Sequence, residues 1–241
     1  MPRGSRQSAT LLTDALKKAA AEKALELVQD GMLVGLGSGS TVRYFTEGMG
    51  RLVAEGIRVR GVPSSRATAE LAASLGIPIV TELLGQIDLA VDGADEVDPA
   101  LNLIKGRGGA LFREKLVAAA SKRFVVVVDE SKLVTQLGAG VLPVEVLPFL
   151  WRSTAERIAA LGVSLVVRGG EETPYVTDNG NLILDLTPEG GIKDPEAFGV
   201  ELKKVTGVVE HGLFVGMADT VIAAGSEGPR AIGRSSGARL A

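Results

Sequence analysis

The sequence predicts an α/β protein, a mainly parallel sheet flanked by helices with a smaller inserted α+β domain, and three observations carry that reading. Short runs rich in Val and Ile, "MLVGLG", "IRVRGVP", "IPIVT", "IDLAVDGAD" and "RFVVVVDE", are apolar on both faces, as strands covered on both sides must be. They alternate with helix-like segments such as "SRATAELAASLG" and "ALFREKLVAAASK", the order that builds parallel sheets. The runs give way to Gly, Ser or Asp, and in such Rossmann-like sheets ligands bind beyond the carboxyl ends of the strands.

The elements follow in order. "MPRGSRQSAT" is basic and polar, lacks the apolar core of a secretory signal, and reads as a flexible leader over residues 1–12. "LTDALKKAAAEKALELVQDG" places Ala and Leu at helical spacing and stops at Gly31. The alternating strands and helices then run to residue 138. Pro143 and Pro148 punctuate an extended segment, a helix follows in "WRSTAERIAALG", and "DNGN" between two strand-like runs signals a hairpin. This stretch, 139–209, is expected to form the smaller α+β domain. "VVEHGLFVGMADTVIAAG" reads as strands returning to the first sheet, so 210–241 would rejoin 1–138, with the aperiodic tail from about 229 flexible.

Composition narrows the chemistry. In 241 residues, 26 Lys and Arg stand against 29 acids, and a net charge of -3 gives no electrostatic footprint for nucleic acid or an anionic membrane. No cysteine is present, which removes disulfides, thiolate nucleophiles and cysteine-bound metal sites. One histidine, His211, lies far from any catalytic pattern and reads as structural. No apolar run approaches the roughly 18 to 20 residues that span a bilayer, so a cytoplasmic protein without membrane or nucleic-acid partners is expected.

Four stretches could carry chemistry. In "LVGLGSGST", Gly35, Gly37 and Gly39 alternate after a strand and lead into a helix, where outward-pointing N–H groups favour a phosphate and Ser38, Ser40 and Thr41 add hydroxyls. Ser40 stands where a dinucleotide fingerprint needs glycine, and no P-loop lysine follows, which favours a small phosphorylated ligand; a plain strand-to-helix turn is the alternative. In "VDGADEVD", Asp92, Asp95, Glu96 and Asp98 crowd a strand end, with Gly93 and Ala94 between the first two. The spacing fails for a calcium loop and suits carboxylates accepting from sugar hydroxyls, although magnesium or a solvated acidic turn would also accommodate it. In "LIKGRGGALFREKL", Lys105 stands at the mouth of a glycine turn (Gly106, Arg107, Gly108, Gly109), and Glu114 shares a helix face with small residues that would raise its pKa. By spacing alone, a solvated stripe Arg113–Glu114–Lys115 is the favoured reading there. In "VVDESKLV", Lys132 follows a strand and could reach a phosphate or sugar oxygen.

Taken in succession, "GLGSGST", "VPSSRAT", "DLAVDGADEVD", "LIKGRGGALFREK", "VVVVDESKLV", "LPVEVLPF", "VTDNGNLILD" and "GVVEHGLFVGMAD" closely resemble the type A ribose-5-phosphate isomerase family, from about residue 14 to about 228. The "DGADE" and "KG-x-GG-A-x-x-REK" blocks are highly specific to it. The resemblance implies interconversion of ribose 5-phosphate and ribulose 5-phosphate through a cis-enediolate, in the non-oxidative pentose phosphate pathway, by a homodimer or tetramer without metal or organic cofactor. It implies Glu114 as the base between C2 and C1, with Asp92, Asp95 and Lys105 as further catalytic groups. Ser38, Gly39, Ser40, Thr41, Gly93, Ala94, Gly106, Arg107, Gly108 and Lys132 would complete the substrate site. Arg107 departs from the glycine or methionine common at its position, which puts its ligand contact in question. Rival readings are a coenzyme A transferase with Glu114 as nucleophile, and a phosphosugar sensor without turnover; the chain carries no DNA-binding segment of the kind such sensors use.

Overall fold

The computed structural model describes residues 3–83 and 85–233, with side chains from residue 12 onward. In chain order the elements are α1 (Arg3–Leu25), β1 (Leu33–Leu36), α2 (Ser40–Ala54), β2 (Arg60–Pro63), α3 (Arg66–Ser74), β3 (Leu89–Asp92), β4 (Glu96–Val97), β5 (Leu103–Ile104), α4 (Leu111–Ala119) and β6 (Phe124–Asp129). They continue with β7 (Leu142–Val146), α5 (Trp151–Ala159), β8 (Ser164–Val167), β9 (Leu182–Thr187), α6 (Pro195–Lys204), β10 (Val208–His211), β11 (Leu213–Phe214), β12 (Thr220–Gly225) and β13 (Gly228–Gly233).

Six strands form the main sheet in the order β13-β12-β6-β3-β1-β2, all neighbours parallel except the β12–β13 hairpin. Every residue of β1, β3 and β6 is buried, which is why "FVVVVD" carries no polar alternation. One face packs Val34, Leu36, Val91, Val125 and Val127 against α1 and α2, where Phe45 and Met49 have no exposed surface. The other face packs Ala90, Val126 and Val128 against Ala118 of α4 and against Phe214. From β1 the chain winds outward to β2, then returns to β3 and winds the other way to β6 and β12. The neighbouring ends of β1 and β3 are therefore the switch point at which ligands of such sheets bind.

A second, four-stranded antiparallel sheet, β10-β7-β9-β8, buries Leu142, Val144, Val146, Leu184 and Leu186 with Ile158 of α5 and Leu202 of α6. The caps behave as their residue types require: Ser65 accepts from the Thr68 N–H at the start of α3, and Asp194 accepts from the Ala197 N–H ahead of Pro195 in α6. "DNGN" makes its turn, with the Thr177 and Asn181 backbones paired, but only the bridge Val176–Leu182 precedes β9, whose ladder partners are β7 and β8. A short sheet, β11-β5-β4, joins the two units.

Several sequence expectations are corrected. Of the three strands in the stretch 208–225, only β12 rejoins the main sheet; β10 pairs with β7 and β11 with β5. An apolar run specifies a strand but not which sheet edge receives it. "IPIVT" forms one bridge to Gly61 rather than a strand. β13 occupies the start of the tail expected to be flexible, and Pro229, lacking an N–H, is tolerated because β13 is an edge; residues from 234 lie outside the described part. The leader expected over 1–12 is helical from Arg3, the backbone of α1 continuing back through it, while residues 1 and 2 lie outside the described part.

Candidate active site

At the carboxyl end of β1 the Gly37 N–H donates to the Val91 carbonyl (2.9 Å), drawing the glycine loop against β3. Here only glycine fits, since a Cβ on Gly37 would collide with the Asp92 carboxylate. Asp92 closes β3. Its Oδ1 accepts from the Gly93 N–H (2.7 Å) and the Ser38 N–H (3.1 Å), and its Oδ2 lies 3.1 Å from Lys105 Nζ. Lys105, at the end of β5, also donates to the Gly93 carbonyl (2.6 Å) and lies 3.2 Å from Glu114 Oε2. All three side chains are buried: Lys105 and Asp92 are each 3% exposed and Glu114 5%.

Two carboxylates thus share one ammonium out of water. Burial would lower the Lys105 pKa, but Asp92 and Glu114 more than reverse this and hold it above the ordinary lysine value. Burial raises Asp92 despite its pairing with Lys105. Burial first, and the Asp92 charge second, push Glu114 up to about 8, Lys105 offsetting only part. Glu114 lies in the first turn of α4, where the helix dipole favours its ionised form; desolvation wins. Asp92 has two backbone donors that favour its ionised form, whereas Glu114 Oε2 has no hydrogen-bond partner in spite of its nearness to Lys105. This is a carboxyl able to exchange a proton near neutrality.

Glu114 and Lys105 open into a cavity of about 250 Å³ that also gathers Ser38, Gly39, Ser40, Thr41, Gly93, Ala94, Asp95, Gly106, Gly108 and Lys132. Two expected residues do not line it. Asp92 sits behind Lys105, and Arg107 turns toward Glu96 (3.8 Å) and Asp95 (4.0 Å). Glu96, expected in an acidic cluster, instead accepts from the Gly138 and Gly140 N–H groups at 2.7 and 2.5 Å, which answers its burial. Thr13, Lys17, Asp129 and Ser131 line the cavity and were not expected. Lys17 comes from α1, where "KK" looked like the polar face of a helix, and Asp129 ends β6, accepting from the Ser131 N–H at 3.1 Å and from its hydroxyl.

Ser40 and Thr41 begin α2 behind an N-cap glycine, so their N–H groups have no partner within the helix and bring the positive end of its dipole to the cavity. A larger cavity, about 470 Å³, adjoins through Ser38, Gly39 and Gly108 and extends between α3 and Tyr175–Asp178. Glu114 and Lys105 face the smaller one. His211 lines neither; burial, reinforced by Lys115, lowers it to about 3, so it is neutral. Among the described residues no three His, Asp or Glu are arranged to hold a metal ion, and no helix is long and apolar enough to cross a membrane.

A proton-exchanging carboxyl beside a fixed ammonium, at the switch point of a parallel sheet and open to hydroxyl and amide donors, defines an acid–base enzyme for a small hydroxylated anion. The chain belongs to the ribose 5-phosphate isomerase A (phosphoriboisomerase A) family, whose model matches residues 60–228. It is 52% identical over 211 residues to ribose-5-phosphate isomerase A 1 of Oceanobacillus iheyensis, covering 87% of this chain and 94% of that protein. It is 50% identical over 216 residues to ribose-5-phosphate isomerase A of Methanothermobacter thermautotrophicus, covering 88% and 95%. The ribose 5-phosphate isomerase structure from Plasmodium falciparum superposes with a TM-score of 0.89 at 39% identity, over 92% of this chain and 100% of that one. A D-ribose-5-phosphate isomerase structure in complex with phospho-erythronic acid gives 0.88 at 40% identity, over 92% and 99%.

Proposed function

We infer that the protein interconverts D-ribose 5-phosphate and D-ribulose 5-phosphate, a step of the pentose phosphate pathway. The observation that carries the reading, with membership of the family, is the buried Glu114 carboxyl, raised to about 8, whose Oε2 lies 3.2 Å from Lys105 without a hydrogen bond at the cavity. In the open-chain aldose, ionised Glu114 takes the C2 proton. The electron pair forms the C1–C2 double bond of a cis-enediolate, and the C1 carbonyl oxygen becomes the oxyanion. Lys105 stabilises that charge. Glu114 then returns a proton to C1 while the double bond shifts to C2–O2, giving the ketose. Asp95, which lines the cavity, moves the hydroxyl proton between O2 and O1, and Asp92 fixes Lys105 from behind.

The phosphate is assigned to Lys17, Lys132 and the first turn of α2, the groups in the cavity best suited to an anion. Ser38, Gly39, Gly93, Ala94, Gly106 and Gly108 shape the remaining wall. Cytoplasmic homo-oligomers are part of the proposal; support for assembly comes from Phe149 and Leu150, which present 82% and 66% of their surface. The smaller unit, 139–209, is proposed to shield the enediolate or to build the subunit interface. The test of function is ribulose 5-phosphate formation from ribose 5-phosphate in chelated buffer, wild type against Glu114→Gln. Robust turnover lost by about 10²-fold or more in the folded variant supports the reading. Wild-type inactivity with ribose 5-phosphate bound would replace it with a sensor.

A further inference from the structure

Helix α4 is held, on the side away from the cavity, by a buried cation with no part in the chemistry above. Lys115 follows Glu114, so its side chain leaves the helix about 100° further round. Its Nζ donates to Glu210 Oε1 (2.8 Å) and to the His211 carbonyl (2.6 Å) of β10, and lies 3.4 Å from His211 Nδ1. It also stands over the Phe214 ring, 4.9 Å from the centroid, and Lys105 Nζ stands over the same ring at 5.4 Å. The link to Lys105 continues through the backbone. Gly212, beside the carbonyl that Lys115 holds, accepts the Lys105 N–H (2.9 Å) and donates to the Pro143 carbonyl (2.8 Å). No side chain fits at Gly212, because a Cβ would run into the Lys105 carbonyl oxygen.

One ammonium therefore ties the helix carrying Glu114 to the turn that registers the backbone of Lys105. We propose that Lys115 is a positioning residue for the isomerisation, setting the spacing of Glu114 and Lys105 through the His211–Gly212 turn and the shared Phe214 ring. The inference rests on the roles given to Glu114 and Lys105 above. Without Lys115, α4 keeps its fold but loses its anchor to β10, and a displacement of about 1 Å at Glu114 is enough to slow proton transfer by up to about 10²-fold.

The test is Lys115→Met in the full-length protein, which keeps the side chain's length and apolar contact with Phe214. Glu210 is not stranded, since Lys203 lies 3.1 Å from it. The expected result is a roughly 10- to 100-fold fall in kcat with KM nearly unchanged. The kinetic isotope effect from C2-deuterated ribose 5-phosphate should rise as proton abstraction becomes limiting. A purely structural lysine would lower the active fraction and the melting temperature but leave that isotope effect at its wild-type value, and this outcome overturns the proposal. Glu210→Gln, which weakens the anchor while preserving shape, gives the same signature at smaller amplitude. Should Lys115→Met fail to fold, wild-type kcat and isotope effect in Glu210→Gln overturn it. Loss of turnover in Glu114→Gln with wild-type behaviour of Lys115→Met removes the positioning claim alone, whereas full turnover in Glu114→Gln removes the base and the positioning claim together.

Discussion

Replacing Glu114 by glutamine removes a charge that the folded protein holds unfavourably, and the surroundings set the size of the effect. Unfolded, the carboxyl titrates at its ordinary value of 4.5; folded, burial and the neighbouring Asp92 raise it to about 8. A tenfold change in proton affinity corresponds to about 1.4 kcal/mol, so the difference approaches roughly 5 kcal/mol as an upper limit, reduced as Asp92, which titrates with Glu114, relaxes in response. The sign follows from linkage. A carboxyl with a raised folded pKa leaves stability intact below its unfolded value and erodes it as pH rises through the folded one. Glutamine does not titrate. The stability gap between Glu114→Gln and wild type should therefore be small near pH 5, grow through neutrality, and level off above about pH 8 with the variant the more stable. For a chain of this length the gap at alkaline pH amounts to a melting-temperature difference on the order of 10 °C. Differential scanning calorimetry of both proteins across the pH range measures it, since the titrations of groups remote from the Asp92–Lys105–Glu114 cluster cancel in the difference. A gap that does not depend on pH, or one largest at acid pH, refutes the burial argument.

Two further outcomes follow from the cavity. Lys17→Ala should raise KM for ribose 5-phosphate by roughly 10- to 100-fold, as loss of a charge-assisted hydrogen bond of about 1.5–3 kcal/mol requires, with a smaller change in kcat; an unaltered KM in steady-state kinetics would move the phosphate elsewhere. Gly37→Ala should lower stability by about 1–3 kcal/mol through overpacking and reduce kcat, because the added Cβ displaces Asp92 from Lys105; denaturant unfolding and turnover measure the two effects together.

The main sheet was legible because its strands are buried on both faces and must be written as continuous apolar runs, as in Phe124–Asp129. The glycine loop was legible because its backbone approaches Asp92 too closely for any side chain. Glu114 was different. Helical spacing registers neighbours three and four residues away, and by that measure Arg113–Glu114–Lys115 reads as a solvated stripe. What desolvates the stripe comes from elsewhere in the chain: Lys105 and Asp92 against Glu114, and β10 with Phe214 against Lys115. Only the resemblance to a family singled Glu114 out. Lys17 left no local signal, because a lysine on an amphipathic helix looks the same whether it faces water or a cavity. The placement of β10 escaped for a related reason, since its partner β7 lies some sixty residues earlier, beyond the reach of any local signal.

The central claim is that a single carboxyl, Glu114, moves a proton between C2 and C1 through an enediolate. The most direct measurement is to run the isomerisation of ribose 5-phosphate in D₂O and locate deuterium in the ribulose 5-phosphate formed. A carboxyl that takes the C2 proton exchanges it with solvent for part of the intermediate's lifetime, so deuterium should enter C1 in wild type, with stereochemistry of one face. Glu114→Gln should lose turnover and label together. Turnover and label at C1 that both persist at the wild-type level in Glu114→Gln would contradict the account.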